Sequence, residues 1–134
     1  MIKTNPSKDY ADSAFRYWAS KGCVSYDTAV SALEKKYGDP EMREQAFEEA
    51  SPELLDILAC EETFRRFEKD GRGVICDAVR AVYMVCPDKT PKATEITARI
   101  VAFARTAYVS ERQVKRYLVA AREEFARVRG VRWN

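Results

Sequence analysis

The sequence predicts an all-α protein, a helical bundle with a C-terminal helix-turn-helix, and three observations support this. Apolar residues recur every three or four positions along most of the chain. No segment shows sustained alternation of apolar and polar residues, and only 5 of the 134 residues are glycine. Residues that cap helices stand directly before proline at Asp39-Pro40 and Ser51-Pro52, a combination typical of helix starts.

The first two predicted helices are short. The first covers residues 9–20 and ends before Gly22, which suits the left-handed conformation at a helix C-cap. The second begins after Ser25, whose hydroxyl can cap it, and ends before Gly38. The residues expected to face inward are Tyr10, Ala14, Tyr17, Trp18, Ala29, Leu33 and Tyr37.

Two more helices are predicted between residues 39 and 70, each begun by a cap residue and a proline. The third starts at Asp39-Pro40, and the fourth starts at Ser51-Pro52 and runs to about Lys69. Proline favours the first helical turn because it lacks the N–H that would be unpaired there. The residues expected to face inward are Met42, Ala46, Phe47, Leu54, Ile57, Leu58, Phe64 and Phe67.

The turn at residues 70–73 contains two glycines and precedes a predicted helix over residues 74–86. The residues of this helix around Val82 are apolar on all sides, which predicts a central position in the bundle. A strand over residues 81–86 is the alternative. Its inward stripe is Ile75, Val79, Val82 and Cys86. A further helix is predicted from Thr90-Pro91 to about Thr106, with Ile96, Ile100, Phe103 and Ala104 inward.

The formal net charge of +2 conceals an asymmetry between the two halves of the chain. Residues 1–70 hold 10 basic and 15 acidic residues, a net charge of −5, whereas residues 71–134 hold 13 and 6, a net charge of +7. We therefore expect an acidic N-terminal helical region over 1–70, which could dimerise or contact a partner. We expect a basic helix-turn-helix region over 71–134.

Composition argues against several protein classes. The four cysteines form no Cys-x-x-Cys pair and the chain has no histidine, so we expect no metal and no cofactor. Adjacent glutamates point about 100° apart on a helix, and no glycine-rich phosphate loop is present, so we expect no enzyme.

No apolar run approaches the roughly 18 residues that a membrane span needs, and no secretory signal is found. A cytoplasmic protein without membrane contact is expected.

Residues 103–125 carry the strongest functional pattern in the chain. Ser110 and Gln113 form a Ser-x-x-Gln capping box that marks a helix start. A helix-turn-helix needs a small residue within its first helix and an apolar residue in its turn, and Ala104 and Val109 meet these needs. The inner face of the second helix must be apolar, and its stripe is Val114, Leu118, Ala121, Phe125 and Val128.

The outer face of this second helix carries groups that suit DNA. Arginine and lysine pair with the O6 and N7 atoms of guanine, while Gln113 could contact adenine and Glu111 could accept from cytosine. Thr106, Tyr108 and Ser110 lie where phosphate contacts are common. The predicted DNA-binding residues are Ser110, Glu111, Arg112, Gln113, Lys115, Arg116 and Arg122. Four arginines could extend a phosphate-binding track or pair with nearby glutamates: Arg122, Arg127, Arg129 and Arg132.

Residues 110–115, Ser-Glu-Arg-Gln-Val-Lys, with Phe103-Ala104 before them and Leu118 after them, resemble the helix-turn-helix of sigma-factor region four. Residues 121–130 are similar to the end of the recognition helix in phage transcriptional regulators of the RinA and ArpU kind. The resemblance implies a phage or prophage protein that acts on transcription. It implies that the DNA-reading positions are Ser110, Glu111, Arg112, Lys115 and Arg116. Tyr108 departs from the pattern, since glycine is common at that turn position.

Two classes of function follow from these patterns. The first is a sequence-specific regulator that binds double-stranded DNA as a homodimer, with the acidic region dimerising or contacting an RNA polymerase subunit. The small subunit of a phage terminase is a close alternative within this class. The second is a helical protein–protein interaction adaptor without DNA binding.

Overall fold

Six α-helices make up most of residues 6–130, the part of the chain that the computed structural model describes. That range contains no strand, so the all-α prediction is confirmed. The helices are α1 (Pro6–Ser20), α2 (Tyr26–Lys36), α3 (Pro40–Lys69), α4 (Gly73–Tyr83), α5 (Ala93–Ala107) and α6 (Glu111–Arg129).

The C-terminal helix α6 is the element around which the bundle packs. It contacts α1, α3, α4 and α5. Its ring at Phe125 lies 5.5 Å from that of Phe15 and 6.0 Å from that of Tyr10, measured between ring centroids. The predicted inward stripe is confirmed for the buried residues Val114, Leu118, Ala121 and Phe125, and Val128 is half-buried.

Helix α1 supplies aromatic side chains to the same core. Trp18 is buried as predicted, and its indole N–H donates to the carbonyl of Val24 at 2.8 Å. Phe15 is fully buried, although it was not among the predicted inward residues. The buried face of α1 is therefore wider than the predicted stripe. Gly22 ends this region in the left-handed conformation, with φ +73°, as its C-cap role predicts.

The predicted break at Ser51-Pro52 is wrong, because α3 continues through it as one 30-residue helix. A proline inside a helix removes one hydrogen bond and leaves the carbonyl four residues earlier, at Glu48, without its helical partner. Pro52 and Glu48 are both exposed, so water can reach this carbonyl. Met42 and Leu58, predicted to face inward, are 55% and 39% exposed.

Helix α2 and residues 40–52 of α3 form a hairpin that we call the α2–α3 arm. Ser25 caps α2 by accepting from the N–H of Thr28 at 3.1 Å, and Asp39 caps α3 by accepting from the N–H of Glu41 at 3.2 Å. Both predicted caps are confirmed. Among the described residues of the arm none is buried, and α2 packs against α3 alone. The start of α2 is fixed to the bundle, since the Tyr26 N–H donates to a carboxylate oxygen of Glu61 at 2.7 Å and Tyr26 and Ala29 pack against the core.

Helix α4 is shorter than predicted. It ends at Tyr83, so the predicted extension to Cys86 is wrong, and so is the strand alternative for residues 81–86. Cys86 is exposed and left-handed, with φ +50°, a conformation that does not continue a right-handed helix. The rest of the predicted stripe is buried: Ile75, Val79 and Val82.

Replacing the proline inside α3 is expected to stabilise the protein. Pro52→Ala restores one helical hydrogen bond at an exposed site, and we expect the free energy of unfolding to rise by about 1–3 kcal/mol. Pro40→Ala is the matched control, because proline at a first helical turn costs nothing there, and we expect a change within about 0.5 kcal/mol. Urea denaturation followed by circular dichroism measures both. A Pro52→Ala protein no more stable than wild type would contradict the expectation.

Candidate nucleic-acid interface

Helix α6 begins where the capping pattern predicts. Ser110 has extended backbone, with φ −75° and ψ 157°, and its Oγ accepts a 3.0 Å hydrogen bond from the N–H of Gln113. Glu111 places a negative charge at the positive end of the helix, which is favourable. These interactions set the point at which α6 leaves the turn.

Three residues, 108–110, connect α5 to α6. Tyr108 is left-handed, with φ 56° and ψ 41°, and its N–H donates to the carbonyl of Ala104. The N–H of Val109 donates to the same carbonyl at 3.1 Å, and the Val109 side chain packs against the core. The left-handed conformation costs a non-glycine residue roughly 1–2 kcal/mol. A tyrosine therefore occupies a turn position whose left-handed backbone favours glycine.

The first two turns of α6 present three exposed cations, Arg112, Lys115 and Arg116. None of them forms an ion pair with any of residues 10–130, whose side chains the structure describes. They line a shallow groove of about 320 Å³ together with Val119, Ala120 and Glu123. We call Arg112, Lys115 and Arg116 the cationic face of α6. Exposed cations without acidic partners are available to an anionic ligand.

The arginines farther along α6 have partners inside the protein. The guanidinium of Arg122 donates to the hydroxyl of Tyr83, and Arg122 is only 8% exposed. Arg127 pairs with Glu124, as one of the two sequence interpretations expected. Arg129 pairs with an aspartate of α3. The fourth arginine of that predicted track, Arg132, lies outside the described residues.

Arg122, one of the predicted DNA-binding residues, is therefore not on the exposed face of α6. Its guanidinium lies between α6 and α4. Of the other predicted residues, Gln113 is half-buried, and the exposed ones are Ser110, Glu111, Arg112, Lys115 and Arg116. Arg105, near the end of α5, is a further exposed cation without an ion pair in the described range, and sequence reasoning did not select it.

Two polar clusters fix the orientation of α6 in the bundle. In one, Tyr83 interacts with Arg122 and also with Asp12 of α1. Burial raises the pKa of Tyr83 to about 12, and the Asp12 charge adds to the rise while Arg122 opposes it. These contacts connect α6 to α4 and α1, so the cationic face points away from the core.

The second cluster involves Asp56 of α3, which accepts from the hydroxyl of Tyr10 at 2.6 Å and from Nε of Arg129 at 2.8 Å. Arg129 also donates to the Tyr10 hydroxyl at 3.3 Å. Three helices, α1, α3 and α6, thus meet at one half-buried carboxylate. The partners lie far apart in sequence, so periodicity alone gives no signal for this cluster.

No protein-family model, curated protein or solved structure matches this chain. The function of the cationic face is therefore inferred from its residues and their geometry. Within residues 10–130, no group of three or more acidic, cysteine or histidine side chains is placed to hold a metal ion. No helix in that range is long and apolar enough to cross a membrane.

The raised pKa of Tyr83 predicts a loss of stability at alkaline pH. The unfolded chain releases this proton near pH 10, but the folded protein holds it to about pH 12. The contribution of Tyr83 to the free energy of unfolding is full below about pH 10. It falls between about pH 10 and pH 12, by up to about 1.4 kcal/mol per pH unit. Tyr83→Phe should remove this dependence on pH, although it also removes the hydrogen-bond acceptor of Arg122 and lowers stability at neutral pH.

Urea denaturation at a series of pH values tests this expectation. Tyr108→Phe, at an exposed tyrosine, is the matched control and should retain the alkaline fall. Some fall should remain in Tyr83→Phe, since burial also raises the pKa of Cys76 to about 11. An unchanged slope in Tyr83→Phe would contradict the assignment.

Proposed function

We propose that this protein binds double-stranded DNA through a helix-turn-helix formed by α5, residues 108–110 and α6, with α6 as the recognition helix. One observation carries the proposal: the cationic face lies on the first two turns of α6, exposed and without acidic partners. In a helix-turn-helix, the N-terminal residues of the second helix are the ones that contact base edges. The remaining cations of α6 are engaged in ion pairs or buried.

The cationic face supplies both kinds of contact that DNA recognition needs. Arg112, Lys115 and Arg116 can each bind a phosphate or the O6 and N7 acceptors of guanine. Glu111 is exposed and can accept from a cytosine amino group. Ser110 and the N–H of Gln113 are occupied by capping, so their part is to hold the helix start against the DNA backbone.

A single recognition helix reads few base pairs, so a homodimer on two half-sites is the working assembly that we propose. The resemblance to sigma-factor region four and to phage regulators favours a role in transcription, with an RNA polymerase subunit as a candidate partner. A small terminase subunit would use the same surface on DNA. Ring-shaped oligomers in solution would favour that alternative.

A salt titration of DNA binding tests the recognition-helix assignment. The triple variant Arg112→Ala/Lys115→Ala/Arg116→Ala should bind a random-sequence duplex more weakly than wild type. Its slope of log K against log salt should shrink by about 0.9 for each phosphate that the variant no longer neutralises. Fluorescence anisotropy at several salt concentrations measures both quantities.

The matched control removes equal charge from other surfaces. Lys35→Ala/Lys69→Ala/Lys89→Ala changes three exposed lysines that lie on α2, at the end of α3 and in the loop before α5. This control should keep most of the wild-type affinity. Equal losses in both triple variants would mean that overall charge, and not the cationic face, drives binding. Unchanged affinity and slope in the α6 variant would overturn the assignment.

The outer face of α3 favours a second function, protein–protein interaction. Glu41, Glu44 and Glu48 lie at helical spacing, are exposed and form no ion pair among the described residues. Leu55 and Leu58 continue this face and are 41% and 39% exposed. Leu55 and Leu58 can pack against a second copy of the chain, which the DNA-binding proposal also needs, while the glutamates of the two copies repel each other at low salt.

Sedimentation tests whether this face forms a homodimer. We expect wild type to dimerise more strongly as salt rises, because salt screens the glutamates and strengthens apolar burial. Leu55→Ser/Leu58→Ser should remain monomeric with unchanged helical content. Val85→Ser, at another exposed apolar residue, is the matched control and should dimerise like wild type. A wild-type protein that stays monomeric at all salt concentrations would contradict a homodimer through α3.

A further inference from the structure

Tyr108 combines two features that folding alone does not explain. Its backbone is left-handed, a conformation that glycine or asparagine adopts more readily. Its side chain is 95% exposed, the highest value among the exposed large apolar residues of the described chain. The turn itself is closed by main-chain bonds to Ala104 and by the packing of Val109. Nothing in the fold therefore requires a tyrosine here.

The position of Tyr108 relates it to the cationic face. It stands two residues before Ser110, the N-cap of α6, and three residues after the exposed Arg105. Thr106 turns its hydroxyl back to the carbonyl of Ala102, so it is not the free hydroxyl at this end of α5. The Tyr108 phenol is thus a polar tip on a rigid, exposed ring beside the start of α6. Hydroxyl groups at such places commonly donate to DNA phosphates.

We propose that Tyr108 anchors the DNA backbone, with its phenol donating a hydrogen bond to a phosphate oxygen at the edge of the site read by α6. This inference rests on the proposed function. It adds a neutral hydrogen-bond donor beside the cationic face of α6. A neutral donor positions the protein on DNA without reading sequence and without releasing a counterion.

Substitutions of Tyr108 should therefore affect DNA affinity and its salt dependence differently from substitutions in the cationic face. Tyr108→Asn and Tyr108→Gly keep the left-handed turn, so their melting temperatures should equal or exceed that of wild type. Both should bind DNA about three- to tenfold more weakly, by the same factor on random and on native-locus duplexes. The slope of log K against log salt should not change. Tyr108→Phe, which lacks only the hydroxyl, should lose as much affinity as Tyr108→Asn.

Anisotropy titrations with both duplexes, together with thermal melts, test the inference. Wild-type affinity in Tyr108→Asn would overturn it, and wild-type affinity in Tyr108→Phe alone would overturn the phenol–phosphate bond. A reduced salt slope would also overturn it, since a neutral contact releases no ion. If the α6 triple variant loses binding while the Tyr108 variants do not, only this inference fails. If wild type itself does not bind either duplex, the proposed function fails with it.

Discussion

Burial of one face of α6 is the constraint on which the rest of the structure depends. Four helices surround α6, and its apolar stripe from Val114 to Phe125 lies at their centre. Because side chains repeat around a helix with a fixed period, burial of that stripe in the core also determines which residues of α6 face outward. The outward positions in the first two turns hold Arg112, Lys115 and Arg116. Packing and the proposed recognition of DNA are therefore two consequences of the same helix orientation.

Neighbouring elements decide which cations of α6 remain available. Asp56 of α3 binds Arg129, and Tyr83 of α4 accepts from Arg122. Arg127 pairs with Glu124 of α6 itself, which also pairs with Arg66 of α3. These partners lie against the C-terminal two-thirds of the helix, so its N-terminal end keeps an uncompensated positive charge. That charge adds to the positive end of the helix dipole, which points the same way. The cations of α6 that have no ion pair are thus concentrated at its N-terminal end.

Sequence reasoning succeeded where the determinants are local. The caps at Ser25, Asp39 and Ser110 act within three residues, and the α6 stripe follows directly from helical spacing. It failed where partners are distant in sequence. Arg122 looks like a surface cation until Tyr83, 39 positions earlier, is brought against it. Pro52 looks like a helix start because local propensity cannot show that α3 continues past it.

The α2–α3 arm gives the chain two levels of local stability. Its described residues include none that is buried, and the backbone hydrogen-bond ladder of α3 is interrupted at Pro52. We therefore expect amide hydrogens in the arm to exchange with solvent through small openings, and those in the buried middle of α6 to exchange through larger openings of the bundle. A partner that covers the arm would slow exchange there and leave α6 unchanged. Amide exchange in the α2–α3 arm and in α6 can therefore distinguish binding at the arm from binding at α6.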